Sequence, residues 1–254
     1  MGNYSKKILL VEDSTISRLL IKKMLTSLGH DVATAENGLD ALYKFQNTTY
    51  DIIFLDIDLP DMSGYDVAIS MNESKSTATH IVAISALNTP VHREKCQNLG
   101  ISDSISKPIT KQSLLEIINK NTDINLQHQT VNHNNTNTII DINCLLNDFE
   151  NNSPYVEEVI GYFIEDNRIN IENLRASIQT NDKKKKLMTL HKIIGSSRNI
   201  RAISLARVAD RIYSTLNSCG TISLSDYSDL QAETIRLETH LAENFALKIQ
   251  NTVK

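Results

Sequence analysis

Ile52-Ile53-Phe54-Leu55-Asp56-Ile57-Asp58-Leu59-Pro60-Asp61-Met62-Ser63-Gly64 is the stretch that decides the fold of the first half of this chain. Its four consecutive apolar residues suit a parallel strand covered on both faces. Asp58, Pro60, Asp61 and Gly64 are turn chemistry. Asp56 is therefore expected at the carboxyl end of a central strand, the edge where open α/β sheets place their ligands. One carboxylate there says little until the neighbouring strand ends are known.

The flanking sequence supplies them. Ile8–Val11 reads as a buried strand followed at once by Glu12 and Asp13, with Ser14 as a helix cap and Ser17 and Arg18 in the first turn. Asp31–Ala35 is a second strand, Ile81–Ile84 a fourth ending at Ser85-Ala86, and Ile101–Ser106 a weak fifth before Lys107-Pro108. Helical spacing separates them, with Gly29, Asn37-Gly38 and Gly100 as punctuation. Five strands alternating with five helices imply a doubly wound parallel sheet. One edge then carries Glu12, Asp13, Asp56, Ser85 and Lys107. Clustered carboxylates call for a cation, and an all-oxygen donor set suits Mg²⁺. A lysine and a hydroxyl can hold phosphoryl oxygens, and Asp56 can act as the nucleophile that forms an acyl phosphate.

Taken in order, the acidic pair Glu12-Asp13, the segment FLDIDLPDMSG around Asp56, the triplet Ile84-Ser85-Ala86 and Ser106-Lys107-Pro108 resemble the receiver domain of two-component response regulators, over about residues 5–121. The resemblance implies a flavodoxin-like sheet of order 2-1-3-4-5. It implies Mg²⁺ held by Asp13, Asp56 and the backbone carbonyl of Asp58, with Glu12 near the metal through water. It assigns Asp56 as phosphoacceptor, Ser85 as switch hydroxyl and Lys107 as phosphate-binding amine. One departure stands out: many receivers carry an aromatic residue three positions before the lysine, where this chain has Ser104.

Composition bounds the rest. The chain has 254 residues, 41% of them hydrophobic and 22% charged, with net charge -4. Neither half is basic, which argues against a nucleic-acid binder. Cys96, Cys144 and Cys219 lie far apart with no CxxC spacing, so free thiols in a reducing compartment are expected rather than a zinc site. No apolar run approaches the roughly 20 residues of a membrane span, and the first residues lack a signal-like apolar core. A cytoplasmic protein without membrane contact is the expectation.

The domains are read as 1–121, a polar linker over 122–138, and an all-helical 139–254. The linker carries His128 and His133, more simply solvated than metal-binding. Beyond it, Ile139–Phe149 suggests a short helix after Asp141. Ser153-Pro154 opens a long one, with Ser153 as cap, carrying Val156, Ile160, Phe163, Ile171 and Leu174. Asn181-Asp182 breaks and recaps into a helix through Lys183 to Lys186, Leu187, Leu190, His191 and Ile194. Two more follow, with Leu205, Ala209 and Ile212, then Leu230, Leu237 and Leu241. Short loops fit an antiparallel four-helix bundle.

Gly195 lies one turn after His191 on the same face, at a cost of roughly 1 kcal/mol against alanine. Such a cost suggests that something approaches the imidazole closely. His191-x-x-x-Gly195-Ser196-Ser197, followed by Asn199 and Ile200, resembles the signature of histidine phosphotransfer domains, over about residues 139–250. The resemblance implies that His191 accepts phosphate from, and returns it to, a receiver aspartate. The family usually has lysine where this chain has Ile194, and often glycine where it has Arg201; Arg198 or Lys184 are the candidates to replace the missing charge.

The function expected is a phosphorelay protein whose partners are a sensor histidine kinase and the receiver of another regulator or hybrid kinase. No Gly-rich phosphate loop followed by lysine is present, so no ATP site is expected. The alternative is a phosphorylation-regulated interaction module whose helical half is a catalytically silent docking domain. A metal-dependent phosphatase built on Asp56 is a third reading, less suited to Ser85 and Lys107.

Overall fold

The computed structural model describes residues 5–74, 79–85, 90–120, 138–180 and 182–244. The expected linker, with its two histidines, falls outside those residues apart from its last position, and so does Ala86. The chain divides into two compact units, Met1–Thr130 and Val131–Lys254.

The first unit runs β1 Lys7–Val11, α1 Thr15–Ser27, β2 Asp31–Ala35, α2 Gly38–Asn47, β3 Ile52–Asp56, α3 Gly64–Glu73, β4 His80–Ser85, α4 Pro90–Asn98, β5 Asp103–Ser106 and α5 Lys111–Lys120. All strand pairings are parallel, in the order β2-β1-β3-β4-β5. The doubly wound sheet expected from the alternation is thus present. β5 is shorter than expected: Ile101 lies before it, buried beside Cys96 and Ile81.

Strand alternation divides the core in two. Leu9, Val11, Ile53, Leu55 and Ala83 pack with Ala41 of α2, Val67, Ala68 and Met71 of α3, and Cys96 of α4. Ile8, Leu10, Ile52, Phe54, Val82 and Ile84 alternate with them and are equally buried. On α1 the buried set is Ile16, Leu20, Ile21, Met24 and Leu25, and α1 packs beside α5. Burial on both faces explains why the strands read as continuous apolar runs. The strand order reverses at β1, which lies between β2 and β3, so the crevice opens where β1 and β3 end.

The turn after β3 is held by close backbone approach. A Cβ placed on Gly64 would lie 2.3 Å from the Asp56 carbonyl oxygen and 2.7 Å from Ile57 Cα. Gly64 N–H donates to Ile57 O at 2.8 Å, closing the turn on the end of β3.

The second unit is helical: α6 Ile142–Asp148, α7 Ser153–Gln179, α8 Lys183–Asn199, α9 Ile203–Cys219 and α10 Leu224–Asn244. Each of the four long helices packs on two others in the cycle α7, α8, α9, α10, with α6 against α7. The cap of α7 differs from the expectation. Asn152 caps it, its Oδ1 accepting Tyr155 N–H at 3.2 Å, and Ser153 and Pro154 are the first helical residues. The amide of Asn152 reaches the third helical N–H, while the Ser153 hydroxyl turns forward to Glu157.

Arg201 has φ +64°, the left-handed region that glycine favours. It closes α8 in a Schellman turn, with Ala202 N–H on Ser197 O at 2.8 Å and Arg201 N–H on Arg198 O at 3.0 Å. Its guanidinium donates to Asp148 Oδ2 at 2.6 Å, and both residues are buried. The ion pair accounts for a bulky residue at a glycine-type position.

Two outcomes follow from these backbone sites. Gly64→Ala should displace the Asp56–Ile57 backbone and lower the unfolding free energy by about 2 kcal/mol or more, read by denaturant titration of the full chain. Arg201→Gly relieves left-handed strain of about 1 kcal/mol but leaves Asp148 without its guanidinium, a loss of about 3–5 kcal/mol when a buried pair is broken. Net destabilisation by about 2–4 kcal/mol is expected from those two opposing effects; a stabilised variant would show that strain outweighs the pair.

Candidate phosphoryl-transfer sites

The end of β3 places Asp56 at zero exposure, and the end of β1 places Glu12 beside it. Oxygen atoms of Glu12, Asp13 and Asp56 lie within 4.8 Å of one another. Lys107 follows β5 and is also buried; its Nζ donates to Asp56 Oδ2 at 2.6 Å and faces Glu12 Oε2 at 3.0 Å. Asp58 N–H donates to Asp56 Oδ1 at 3.0 Å, so the phosphoacceptor candidate is held on both oxygens. The Asp58 side chain itself is exposed. Ser85 is buried at the end of β4, and its carbonyl accepts Lys107 N–H at 2.9 Å. The Lys107-Pro108 peptide is cis. Ser104 lies within β5, opposite Ala83 in register. Thus Glu12, Asp13, Asp56, Ser85 and Lys107, far apart in sequence, come to one edge.

The charges do not balance there: three carboxylates face one ammonium. Burial pushes the Glu12 carboxyl up to about 8; Lys107 opposes the rise, and the charges of Asp56 and Asp13 add to it. For Lys107, burial works against the charged form, but Asp56 and Glu12 outweigh it and hold its pKa above the ordinary lysine value. A cation is the missing complement, and the donor set is entirely oxygen, which fits a hard divalent ion.

Two supports had no motif in the sequence. Asp61 accepts the N–H groups of Gly38 and Leu39, each at 2.9 Å, tying the β3–α3 turn to the start of α2. Burial would raise the Asp61 carboxyl, but those backbone donors outweigh it and hold it below the ordinary value. Arg18 Nη1 donates to Glu12 O at 2.8 Å and Asp13 O at 3.3 Å, and its Nη2 to Glu36 Oε1 at 2.8 Å. An arginine in the first helical turn after an acidic pair was the available signal.

In the helical unit, His191 is half-buried at the middle of α8. Gly195, Ser196 and Ser197 beyond it are buried, as is Ile194. Ser196 Oγ donates to Lys192 O at 2.8 Å and so stays within its own helix. Arg198, a candidate for the charge missing at Ile194, is paired with Asp210 of α9 at 2.5 Å. Lys184, the other candidate, lines a cavity of about 320 Å³ between α7 and α8 together with Lys185 and Lys192.

The comparisons with known proteins fall unequally on the two units. Residues 8–119 match the response regulator receiver domain model. The chain is 40% identical over 121 residues, 45% of its length, to hybrid signal transduction histidine kinase L of Dictyostelium discoideum, of which this is 7%. It is 38% identical over 109 residues, 43% of its length, to the transcriptional regulatory protein CusR of Escherichia coli K12, covering 48% of that protein. With the sensor protein EvgS of E. coli K12 it shares 24% identity over 205 residues, 81% of this chain and 16% of EvgS. The chain therefore spans less than half the length of these curated relatives. Among solved structures, the receiver domain of a Pseudomonas aeruginosa sensor histidine kinase, with a magnesium ion coordinated in its active site cleft, is 30% identical, with 46% of this chain and 96% of that one covered and a TM-score of 0.42. With this fold, and with this set of residues at one strand edge, the N-terminal unit is a response regulator receiver domain.

Proposed function

We propose that this chain is a phosphorelay protein in which Asp56 accepts a phosphoryl group and His191 carries one to or from a receiver. The observation that carries the reading is the 2.6 Å contact between Lys107 Nζ and Asp56 Oδ2, in a cluster of three carboxylates of which Glu12 and Asp56 are buried and Asp13 half-buried. Glu12, Asp13 and Asp56, with the backbone carbonyl of Asp58, would hold Mg²⁺. When bound, the ion screens the carboxylates from the phosphoryl oxygens and neutralises charge on the transferred group.

The chain's own residues do the rest. An Asp56 oxygen attacks the phosphorus of a phosphohistidine, forming the P–O bond as the P–N bond breaks, and the leaving imidazole takes a proton. Lys107 binds a phosphoryl oxygen with the ammonium that otherwise holds Asp56, and the Ser85 hydroxyl binds another. At His191 a neutral imidazole nitrogen attacks an aspartyl phosphate, and the carboxylate leaves. A sensor histidine kinase is the donor in this reading, and a second receiver the partner of His191. Two features support the helical role: the His191-to-Ser197 pattern on a packed four-helix unit, and the alignment with EvgS, which extends well past the receiver segment. Among the described residues, no helix is long and apolar enough to cross a membrane.

The buried Ile194 favours a second reading, in which the helical unit docks a partner without carrying phosphate. Labelling with acetyl phosphate and Mg²⁺ separates the two. Wild type is expected to carry base-labile acyl phosphate and acid-labile phosphoramidate. Asp56→Asn should lose both, His191→Gln only the acid-labile label, and chelation with EDTA should abolish labelling. If label is solely base-labile and His191→Gln changes nothing, Asp56 and His191 do not exchange phosphate within this chain; transfer from a separate phosphorylated receiver to His191 then keeps the relay reading, and its absence leaves the docking reading in its place.

A further inference from the structure

We infer that Arg18 is a positioning residue for the cation site: its forked guanidinium fixes the backbone of the acidic pair so that Glu12 and Asp13 present carboxylates, not carbonyls, to a divalent cation. The inference rests on the Mg²⁺ reading above and adds a residue to it. The Glu12-Asp13 segment joins β1 to α1 and belongs to no hydrogen-bonded element of its own. Few bonds hold it. Glu12 N–H reaches Ala35 O at 3.1 Å, and Ser14 N–H reaches Glu12 Oε1 at 3.3 Å. The carbonyls of Glu12 and Asp13 are both taken by Arg18 Nη1, at 2.8 and 3.3 Å. The other prong, Nη2, is anchored at 2.8 Å on Glu36, just past the end of β2. The Arg18 side chain is 12% exposed, whereas Glu36 is 68% exposed, so the anchor sits in water and the fork in protein.

This arrangement has two consequences. A carbonyl oxygen that accepts from a guanidinium is a weaker metal ligand, so the loop's carboxylates are its stronger oxygen donors. The rotation of both peptide units is also set from α1 and β2, elements fixed by the core. A planar fork can hold two carbonyls and a carboxylate at once, whereas an ammonium on a flexible stem cannot hold the same geometry.

Electrostatics and positioning make opposite forecasts. A positive charge bonded beside the acidic pair repels an incoming cation through space, so its removal should tighten Mg²⁺ binding if charge alone matters. If Arg18 positions the ligands, its removal weakens binding, as loss of supporting partners around metal ligands commonly does, by about 10–100-fold.

The measurement is Mg²⁺ titration by calorimetry on the full chain, with unfolding followed separately by circular dichroism. Arg18→Ala is expected to raise the Mg²⁺ Kd by about tenfold or more, Arg18→Lys to leave most of that loss, and Glu36→Gln to raise it by about two- to threefold. A purely structural role would lower the unfolding temperature and leave the Kd of the folded protein unchanged, which overturns the inference. So does tighter binding by Arg18→Ala, or full rescue by Arg18→Lys, which keeps charge without the fork. If Arg18→Ala does not fold, the lysine and Glu36→Gln variants decide by the same criteria. Failure of wild type to bind Mg²⁺ sinks the cation reading and this inference together, whereas normal wild-type binding with unaffected variants sinks this inference alone.

Discussion

A lysine ammonium buried between carboxylates is the interaction on which the receiver unit depends. Lys107 is 6% exposed and Asp56 is fully buried, so neither charge could be kept out of water without the other. The lysine satisfies part of the cluster, and burial together with the neighbouring carboxylates holds the Glu12 carboxyl well above the usual carboxylate range. Such an edge is stable enough to form and poor enough in positive charge to attract a cation, whose charge would in turn favour a phosphoryl group there. The same contact that offsets the burial of Asp56 is the one a phosphoryl oxygen would take over.

Backbone placement turns that charge cluster into a site. The strands that bear Glu12 and Asp56 are neighbours because the order of the sheet reverses at β1. Their terminal loops are then held from outside the cluster. Gly64 lets the turn fold directly against the end of β3, Asp61 ties that turn to the first N–H groups of α2, and Arg18 ties the β1–α1 segment to the end of β2. Each support is anchored on an element whose apolar face is buried in the sheet's core. Rigid strands thus set the positions of the acids, and polar ties set their orientations.

The helical unit solves a different problem with the same physics. Its long helices bury apolar stripes at helical spacing, and the turn between α8 and α9 needs a left-handed residue. Arg201 occupies that position, and its buried pairing with Asp148 offsets the conformational strain. The local rule broken at residue 201 is compensated by a partner more than fifty positions earlier. Arg198, one turn away, spends its charge on α9 and not on the surroundings of His191.

Much of this was legible from the residues alone. Apolar runs of four residues ending at Glu12, Asp56 and Ser85, with weaker strands alternating with helices around them and Lys107 after the last, determined the α/β sheet and named the five residues at its edge, because alternation and burial are written in local periodicity. The helical spacing of Val156, Ile160, Phe163 and Leu174 likewise determined a helical second half. Caps were less legible: Ser153 reads as the cap of α7, and the path of the chain gives that role to Asn152, one residue earlier. The roles of Arg18, Asp61 and the Arg201–Asp148 pair belonged to the tertiary structure entirely. Each depends on a distance between elements remote in sequence, and a hydrogen bond falls off within about an ångström of its optimum, a precision that periodicity does not encode.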